Sequence, residues 1–483
     1  MSAILQSEPA DAEQYGWRVL SVTTLGVMLC FINASTLNVA LPMVADDLNA
    51  SPVQASWILL SYMLLTTVLI LVFGRLADLL GRKRLYLAGL AVLVAGSVGC
   101  GLSQSAGMLL AFRCVQAIGA AAVITNTTAL LADAFPVHKL GLGLGLNATI
   151  SAAAQSMGPV IGGVLVDSFG WRSIFLINLP LGALALAWAG YTLRQTAFTH
   201  NERFDVAGAG LSMVGVAGLV YALSMGGPNG WLDAHVLAGA AIGIIGMMAF
   251  VFSQRRREHP LVDLSLFDEP MRSASYACVM LISMANVSTI LLVSLYLQAA
   301  HGYDAVSAGL AVAPTPVGMM LASPVSGRLI GRHSHLTLCL WGLGFAAAGV
   351  LMLACVTGLP DPYVWMAPAL FCVGVGNGLF LTPNNSGIMQ GVRPGRRGIA
   401  NGIRSALQNT GLVIGTALAL SIATAPLSHA SQKAAYAGRL SMVSQGEVHA
   451  FTGGCRTAFA VLFLLCSTAI AVLLWARGRS RAA

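Results

Sequence analysis

Apolar runs about twenty residues long recur along this chain, near 18–41, 56–73, 84–104, 108–131, 143–165, 173–193, 205–225, 235–253, 275–298, 307–327, 336–356, 363–383, 400–425 and 455–476. A run of that length crosses the hydrocarbon of a bilayer as a helix. In lipid, a helix is the one single-segment conformation that satisfies its own backbone groups. Fourteen such runs predict an all-α membrane protein. Of the 483 residues only 9% are charged and 57% are hydrophobic, whereas an ordinary globular chain is about 25% charged. The polar, acidic opening MSAILQSEPADAEQYGW does not read as a cleaved signal peptide, so the first span serves as the insertion signal.

The basic residues are placed asymmetrically. With the amino terminus set in the cytoplasm, Arg75, Arg82, Lys83, Arg84, Arg255, Arg256, Arg257, Arg328 and most others fall on the inside. Arg172, Lys433, Arg439 and Arg456 fall outside. This bias meets the positive-inside rule for a multi-pass protein of the bacterial plasma membrane with both termini cytoplasmic. The net charge of +8 and the pI of 9.2 then express topology, and no nucleic-acid partner is implied. No P-loop sequence for ATP occurs, the nine cysteines show no metal-ligand spacing, and no carboxylate–histidine cluster marks an enzyme. No cofactor or metal is expected.

GRLADLLGRKR at 74–84 is echoed by GRLIGRHSH at 327–335, which is 253 residues further along. Six spans and their loops take about 190–200 residues, so the excess holds two extra spans. The expected organisation is a tail at 1–16, a six-helix bundle at 17–200, two inserted helices at 201–258, a second six-helix bundle at 259–477 and a basic tail at 478–483. Parallel repeats related by an axis along the membrane normal are a known membrane architecture.

Two signatures neighbour each other in one apolar stretch, SAAAQSMGPVIGG (151–163) and WRSIFLINLPLG (171–182). Glycine pairs and a proline let membrane helices approach closely and bend. Gly158, Pro159, Gly162 and Gly163 therefore shape a bent, small-faced fifth span. In the loop after the second span, Asp78 lies among Arg75, Arg82, Lys83 and Arg84. Such a carboxylate pairs with cations or caps a helix, and either contact can break as two bundles rock. Gly74 and Gly81 permit the tight turns this loop needs.

Arg113, in AFRCVQAIGAA (111–121), lies inside a span. A charge there costs at least about 2.5–3.5 kcal/mol unless it is paired or faces water. It either tunes a proton or substrate charge, or ties structurally to Gln116, Asn126 or a backbone carbonyl. Asn33, Gln155, Asn286, Tyr296, Asn384 and Gln408 are the polar candidates for lining a central cavity, with helix-to-helix hydrogen bonding as the competing role.

Together these stretches resemble the major facilitator superfamily, and within it the fourteen-span drug:proton antiporter branch. GRLADLLGRKR is similar to its loop motif, AFRCVQAIGAA to its fourth-helix arginine motif and SAAAQSMGPVIGG to the fifth-helix antiporter motif of drug exporters. WRSIFLINLPLG, NASTLNVALP (33–42) and IANGIRSALQNTGLVIGTALA (399–419) also resemble that branch. The resemblance implies a major facilitator fold of two six-helix bundles plus two central helices. It implies a conformational latch at Gly74, Asp78, Gly81, Arg82 and Arg84, charge coupling at Arg113, and a hinge at the fifth-span motif. It also implies proton-driven export of a hydrophobic or amphiphilic drug or antibiotic.

One departure stands out. That branch usually carries an aspartate where this chain has Asn33, and no carboxylate lies near the middle of any span. Three consequences stay open. The proton travels through Asp78, Asp133 or another edge carboxylate; or transport is coupled otherwise or merely facilitated; or the substrate preference shifts to neutral and anionic compounds. Import of a small polar metabolite is the alternative function, and the exporter motif weighs against it. The polar segment 426–455 is the one long outside loop, either a docking point for a periplasmic adaptor or a connector.

Overall fold

Every predicted span is helical. In chain order the helices are α1 (Pro9–Ser35), α2 (Leu37–Asp47), α3 (Pro52–Leu80), α4 (Arg82–Gly101), α5 (Ala106–Ala134), α6 (Val137–Phe169), α7 (Ser173–Leu176), α8 (Asn178–Thr192), α9 (Val206–Asn229), α10 (Ala234–Arg256), α11 (Pro270–His301), α12 (Ala305–Ala311), α13 (Pro314–Leu329), α14 (His335–Val356), α15 (Tyr363–Gln390), α16 (Arg397–Thr424), α17 (His429–Tyr436) and α18 (Gln445–Ala482). The structure, a computed structural model, describes residues 9–195, 205–257, 262, 264–330, 332–359, 361–390, 392, 397–442 and 444–482. Among these, thirteen helical segments are long and apolar enough to cross a membrane. The 33-residue α6 lies between two of them and makes the fourteenth crossing. The end of the bundle at which α1 starts is called here the terminal end, with the far end opposite.

The same neighbour pattern occurs twice. Helix α1 packs on α5, α6 and α8, as α11 packs on α15, α16 and α18. Helix α4 lies against α5 and α8, as α14 does against α15 and α18, and α3 meets α5 as α13 meets α15. This is the major facilitator arrangement of two six-helix bundles. The inserted pair α9 and α10 forms a hairpin whose backbones touch through glycines, Gly215 against Gly246 and Gly218 against Gly243. Helix α9 also packs on α3 and α16, one helix from each half. The outer side of α10 exposes Ile242, Ile244, Ile245 and Met248, as a lipid-facing helix does. At its terminal end the hairpin is tied by buried Asp205, which accepts from Gly208 N at 2.8 Å and Gln254 Nε2 at 2.8 Å and pairs with Arg257 at 2.8 Å. The expected domain junctions near 200 and 258 lie outside the described residues.

The structure departs from the sequence reading at two places. The first span is not one straight helix but breaks between α1 and α2 at Thr36. Ser35 Oγ folds back on Phe31 O at 2.7 Å, a bond that bends helices. Pro42, which has no N–H, sits a turn and a half later. The outside segment is also shorter and more ordered than expected, because α18 starts at Gln445 and α17 folds within it.

The apolar packing is lopsided. One cluster joins far-end residues of both halves, among them Leu37, Leu41, Phe175, Leu295, Ala305 and Tyr436. A second large cluster fills the first half and meets the second at mid-span through Val287, Leu412, Val413 and Ala417. Two small terminal-end clusters stay within one half, with Ala77, Leu85 and Ala122 in the first and Tyr276, Ile388 and Ile403 in the second. The two bundles are therefore sealed together at the far end.

Candidate functional site

Arg113 is fully buried in the first half. Its Nε donates to Ile58 O at 3.2 Å, and its Nη1 donates to Asn33 O at 3.4 Å and to Gln116 Oε1 at 2.7 Å. Gln116 Nε2 in turn donates to Ser97 Oγ at 2.7 Å. The guanidinium carbon stands 4.3 Å from the centre of the Tyr62 ring, close enough for a cation–π contact. Arg113 thus ties α1, α3 and α5 together, and Gln116 extends the tie to α4. Asn33 Oδ1 accepts from Asn178 Nδ2 at 3.0 Å, which brings α8 into the same network. Arg113 Nη2 and Asn33 Nδ2 are buried without partners. The described buried charges are Arg113 and Asp205, so no buried carboxylate neutralises the arginine.

The fifth-span motif sits where the first helix breaks and where the halves meet. A Cβ on Gly158 would lie 1.7 Å from Ser35 Oγ, and one on Gly162 would lie 2.6 Å from Thr36 O. A Cβ on Gly163 would lie 2.5 Å from Ala305 O, and one on Gly309 would lie 2.5 Å from Pro159 O. Only glycine allows backbones that close, and α6 uses it toward α1 on one side and toward α12 of the other half on the other.

Polar contacts reinforce the far-end seal. Arg439 pairs with Asp46 at 2.6 Å, Ser56 Oγ and the Tyr436 hydroxyl meet at 2.9 Å, and Gln298 Nε2 donates to Val39 O at 3.4 Å. Beside them Trp171 Nε1 and Arg172 Nη1 donate to Asp47 Oδ2 at 2.9 and 3.0 Å, and the Arg172 guanidinium covers the Trp171 ring at 4.3 Å. The Trp171 hydrogen bond, with the Arg172 contact behind it, holds the Asp47 carboxyl below its ordinary value. A lowered native pKa adds stability above the usual carboxylate range and loses it as the pH falls through the lowered value. Thermal unfolding from about pH 6 down to about pH 3 is therefore expected to lose less stability in Asp47→Asn than in the parent; equal losses would count against this clamp.

At the terminal end, Gly81 joins α3 to α4 with φ +89°, a backbone region open to glycine and strained for other residues. Arg82 pairs with Asp133 and donates to Ala129 O at 3.2 Å, while Lys83 donates to Gly190 O at 2.9 Å and to Leu193 O. Arg84 is exposed on the first turn of α4. Gly74 and Asp78 fall on α3, with their side-chain positions outside the described residues.

This architecture has relatives. The sequence profile of the Major Facilitator Superfamily matches residues 23–416. The chain belongs to the Major Facilitator Superfamily. It is 35% identical over 410 residues to the multidrug resistance protein Stp of Mycobacterium tuberculosis, covering 85% of this chain and 76% of that one. It is 29% identical over 405 residues to the methylenomycin A resistance protein of Streptomyces coelicolor, covering 83% and 84%. It is 27% identical over 405 residues to the riboflavin transporter RibZ of Clostridioides difficile, covering 83% and 87%. Among solved structures, a bacterial homolog of the human lysosomal transporter Spinster, inward-facing and unoccupied, has the same fold. Its TM-score is 0.65 at 17% identity, covering 96% of this chain and 97% of that one. This major facilitator is thus a multi-pass transporter of small molecules and not an enzyme.

The six residues proposed for a central cavity do not share one place. Gln155, Asn286 and Gln408 are half-buried, and Gln408 accepts from half-buried Arg404 at 2.7 Å. Asn33 and Tyr296 are about 1% exposed in this form. Asn33 is held by Asn178, and the Tyr296 hydroxyl is taken by His301 at 3.1 Å and Gly358 N at 3.2 Å within the second half. Asn384 lines a pocket inside the second half. Sequence reasoning gave no role to Asn178, Asp47 or Arg439. Asn178 lay in a quoted signature, and its amide inside an apolar run was the available signal.

Proposed function

We propose that this facilitator exports hydrophobic or amphiphilic small molecules, drugs or antibiotics among them, by alternating access between its two bundles. The observation that carries the reading is the far-end joint between the halves at Pro159 and Gly163, which touch Gly309 and Ala305, with Gly158 and Gly162 seating the same helix on the break in the first span. The motif that resembles drug exporters forms the joint that must open for release. The names of the Mycobacterium and Streptomyces relatives support the same substrate class. The positive-inside rule puts the terminal end and both chain termini in the cytoplasm, so the present form faces inward. Half-buried Gln155, Asn286 and Gln408 line the inward path, and the bundles at 17–200 and 259–477 are the moving bodies.

Protons are the proposed driving ion, carried at edge carboxylates such as Asp133 beside Arg82, or Asp78, with Arg113 supplying the fixed charge beside Asn33. The Gly74 to Arg84 loop acts as the latch of the opposite state. No adaptor is invoked, since the far-end segment is folded onto the chain's own first half. Asn33 favours a second reading, facilitated transport of a less cationic solute, because an amide cannot titrate.

Everted membrane vesicles with an imposed pH gradient separate the two. The expected result is gradient-driven uptake of a neutral lipophilic dye, with cationic-dye uptake rising several-fold in Asn33→Asp. Uptake indifferent to the gradient favours the facilitator, and unchanged cationic-dye handling in Asn33→Asp counts against the role given to this position.

A further inference from the structure

We infer that the second half holds a small site for a primary ammonium group, separate from the path between the halves and independent of what is exported. A cavity of about 180 Å³ lies at the terminal end between α11, α14, α15 and α18. Asn384 forms part of its wall and is 2% exposed. Its Nδ2 donates to Ser275 O at 3.4 Å, but its Oδ1 has no donor. A buried amide oxygen left unpaired is destabilising, so the site favours an occupant that brings an N–H or O–H. Glu269 also lines the cavity, half exposed, with its Oε2 paired to Arg272 at 3.2 Å. Much of the remaining wall is apolar, including Met271, Leu336 and Ile388.

The repeat shows what belongs there. In the first half the equivalent ground lies between α1, α4, α5 and α8, and α4 fills it with its own cations. Lys83 reaches the end carbonyls of α8, and Arg82 reaches Ala129 O and Asp133 on α5. Helix α14 opens instead with His335 and Leu336. The second half has acceptors of its own in this ground, Asn384 Oδ1 and Glu269, in a wall that also carries Arg272 and His335. Size narrows the occupant. Drug-sized ligands take about 300–1,000 Å³, so this cavity suits a fragment the size of ethanolamine. Its ammonium would meet Asn384 Oδ1 and Glu269, and a phosphate on the same molecule would meet Arg272, which also lines the cavity. A free small amine and an aminophospholipid headgroup share this chemistry, whereas a trimethylated choline head has no N–H to give.

The test reads thermal unfolding of the full-length protein in two settings. In lipid-free detergent, ethanolamine is titrated against choline. In nanodiscs, phosphatidylethanolamine is compared with phosphatidylcholine at one fixed fraction of phosphatidylglycerol. The ammonium form is expected to raise the unfolding temperature above its trimethylated counterpart in at least one setting. A rise in detergent assigns a free amine, and a rise in nanodiscs alone assigns the lipid headgroup. Asn384→Leu is expected to erase the difference, while Asn384→Asp keeps or enlarges it. Equal temperatures for both head types in both settings overturn the proposal. So does a preference that survives Asn384→Leu unchanged, or one that weakens in Asn384→Asp should the leucine variant fail to fold.

Discussion

Gly163→Val is expected to cut transport at least tenfold while leaving the amount of protein in the membrane close to normal. The first atom of the new side chain would lie 2.5 Å from Ala305 O and 3.1 Å from Val306 Cα. Both belong to the backbone of the other half, so no rotamer change relieves the clash. Overpacking of this kind costs about 1–3 kcal/mol. Here the strain falls on the state sealed at the far end and not on either bundle alone. A bias of that size shifts the balance of the two states by about 5- to 150-fold. Labelling of a cysteine placed at the seal is expected to speed up in the same variant. Gly158→Val is the informative contrast, because its clash is with Ser35 inside the first half. It is expected to lower protein yield as well as rate. Normal transport by Gly163→Val would mean that the joint at α6 and α12 does not have to close.

The second large effect is expected at Arg113. Arg113→Ala removes donors from Ile58 O, Asn33 O and Gln116 Oε1 at one stroke. Each bond to a charged group is worth about 1.5–3 kcal/mol, and the buried acceptors are left unpaired. Three helices lose their common tie, so transport per molecule is expected to fall by more than tenfold, with the unfolding temperature reduced. Arg113→Lys keeps the charge, but its one nitrogen replaces the separate Nε and Nη1 positions of the guanidinium and cannot reach all three acceptors. It is expected to fall between parent and alanine. Near-parent rates in Arg113→Ala, normalised to protein amount, would remove Arg113 from the account.

The membrane class and the count of fourteen crossings were legible from run length alone, because lipid leaves a chain so few options. The inserted pair followed from the spacing of the two GRL segments, which fall on matching turns, α3 to α4 and α13 to α14. Pairings between distant positions were not legible. Asn33 and Asn178 stand 145 residues apart, and Asp46 and Arg439 stand 393 apart. No local pattern announces either. Polarity within a span said that Asn33, Tyr296 and Asn384 face inward but not what they meet. Helix-to-helix bonding, an end-of-helix hydroxyl contact and a side pocket all demand the same residue types. The place of the break at Thr36 was also not legible, although Ser35 and Pro42 beside it are local, because nothing in the sequence pairs it with Gly158 and Gly162, which pack there.

Alternating access is tested most directly by joining the far ends covalently. In a chain otherwise free of reactive thiols, Asp46→Cys and Arg439→Cys place two cysteines where the present structure has an ion pair of 2.6 Å. A short bridging reagent is expected to join them in the inward-facing form, to stop transport and to release it again when the bridge is reduced. Transport at the parent rate by fully bridged protein would contradict the account, because solute would then be crossing without the far end ever opening.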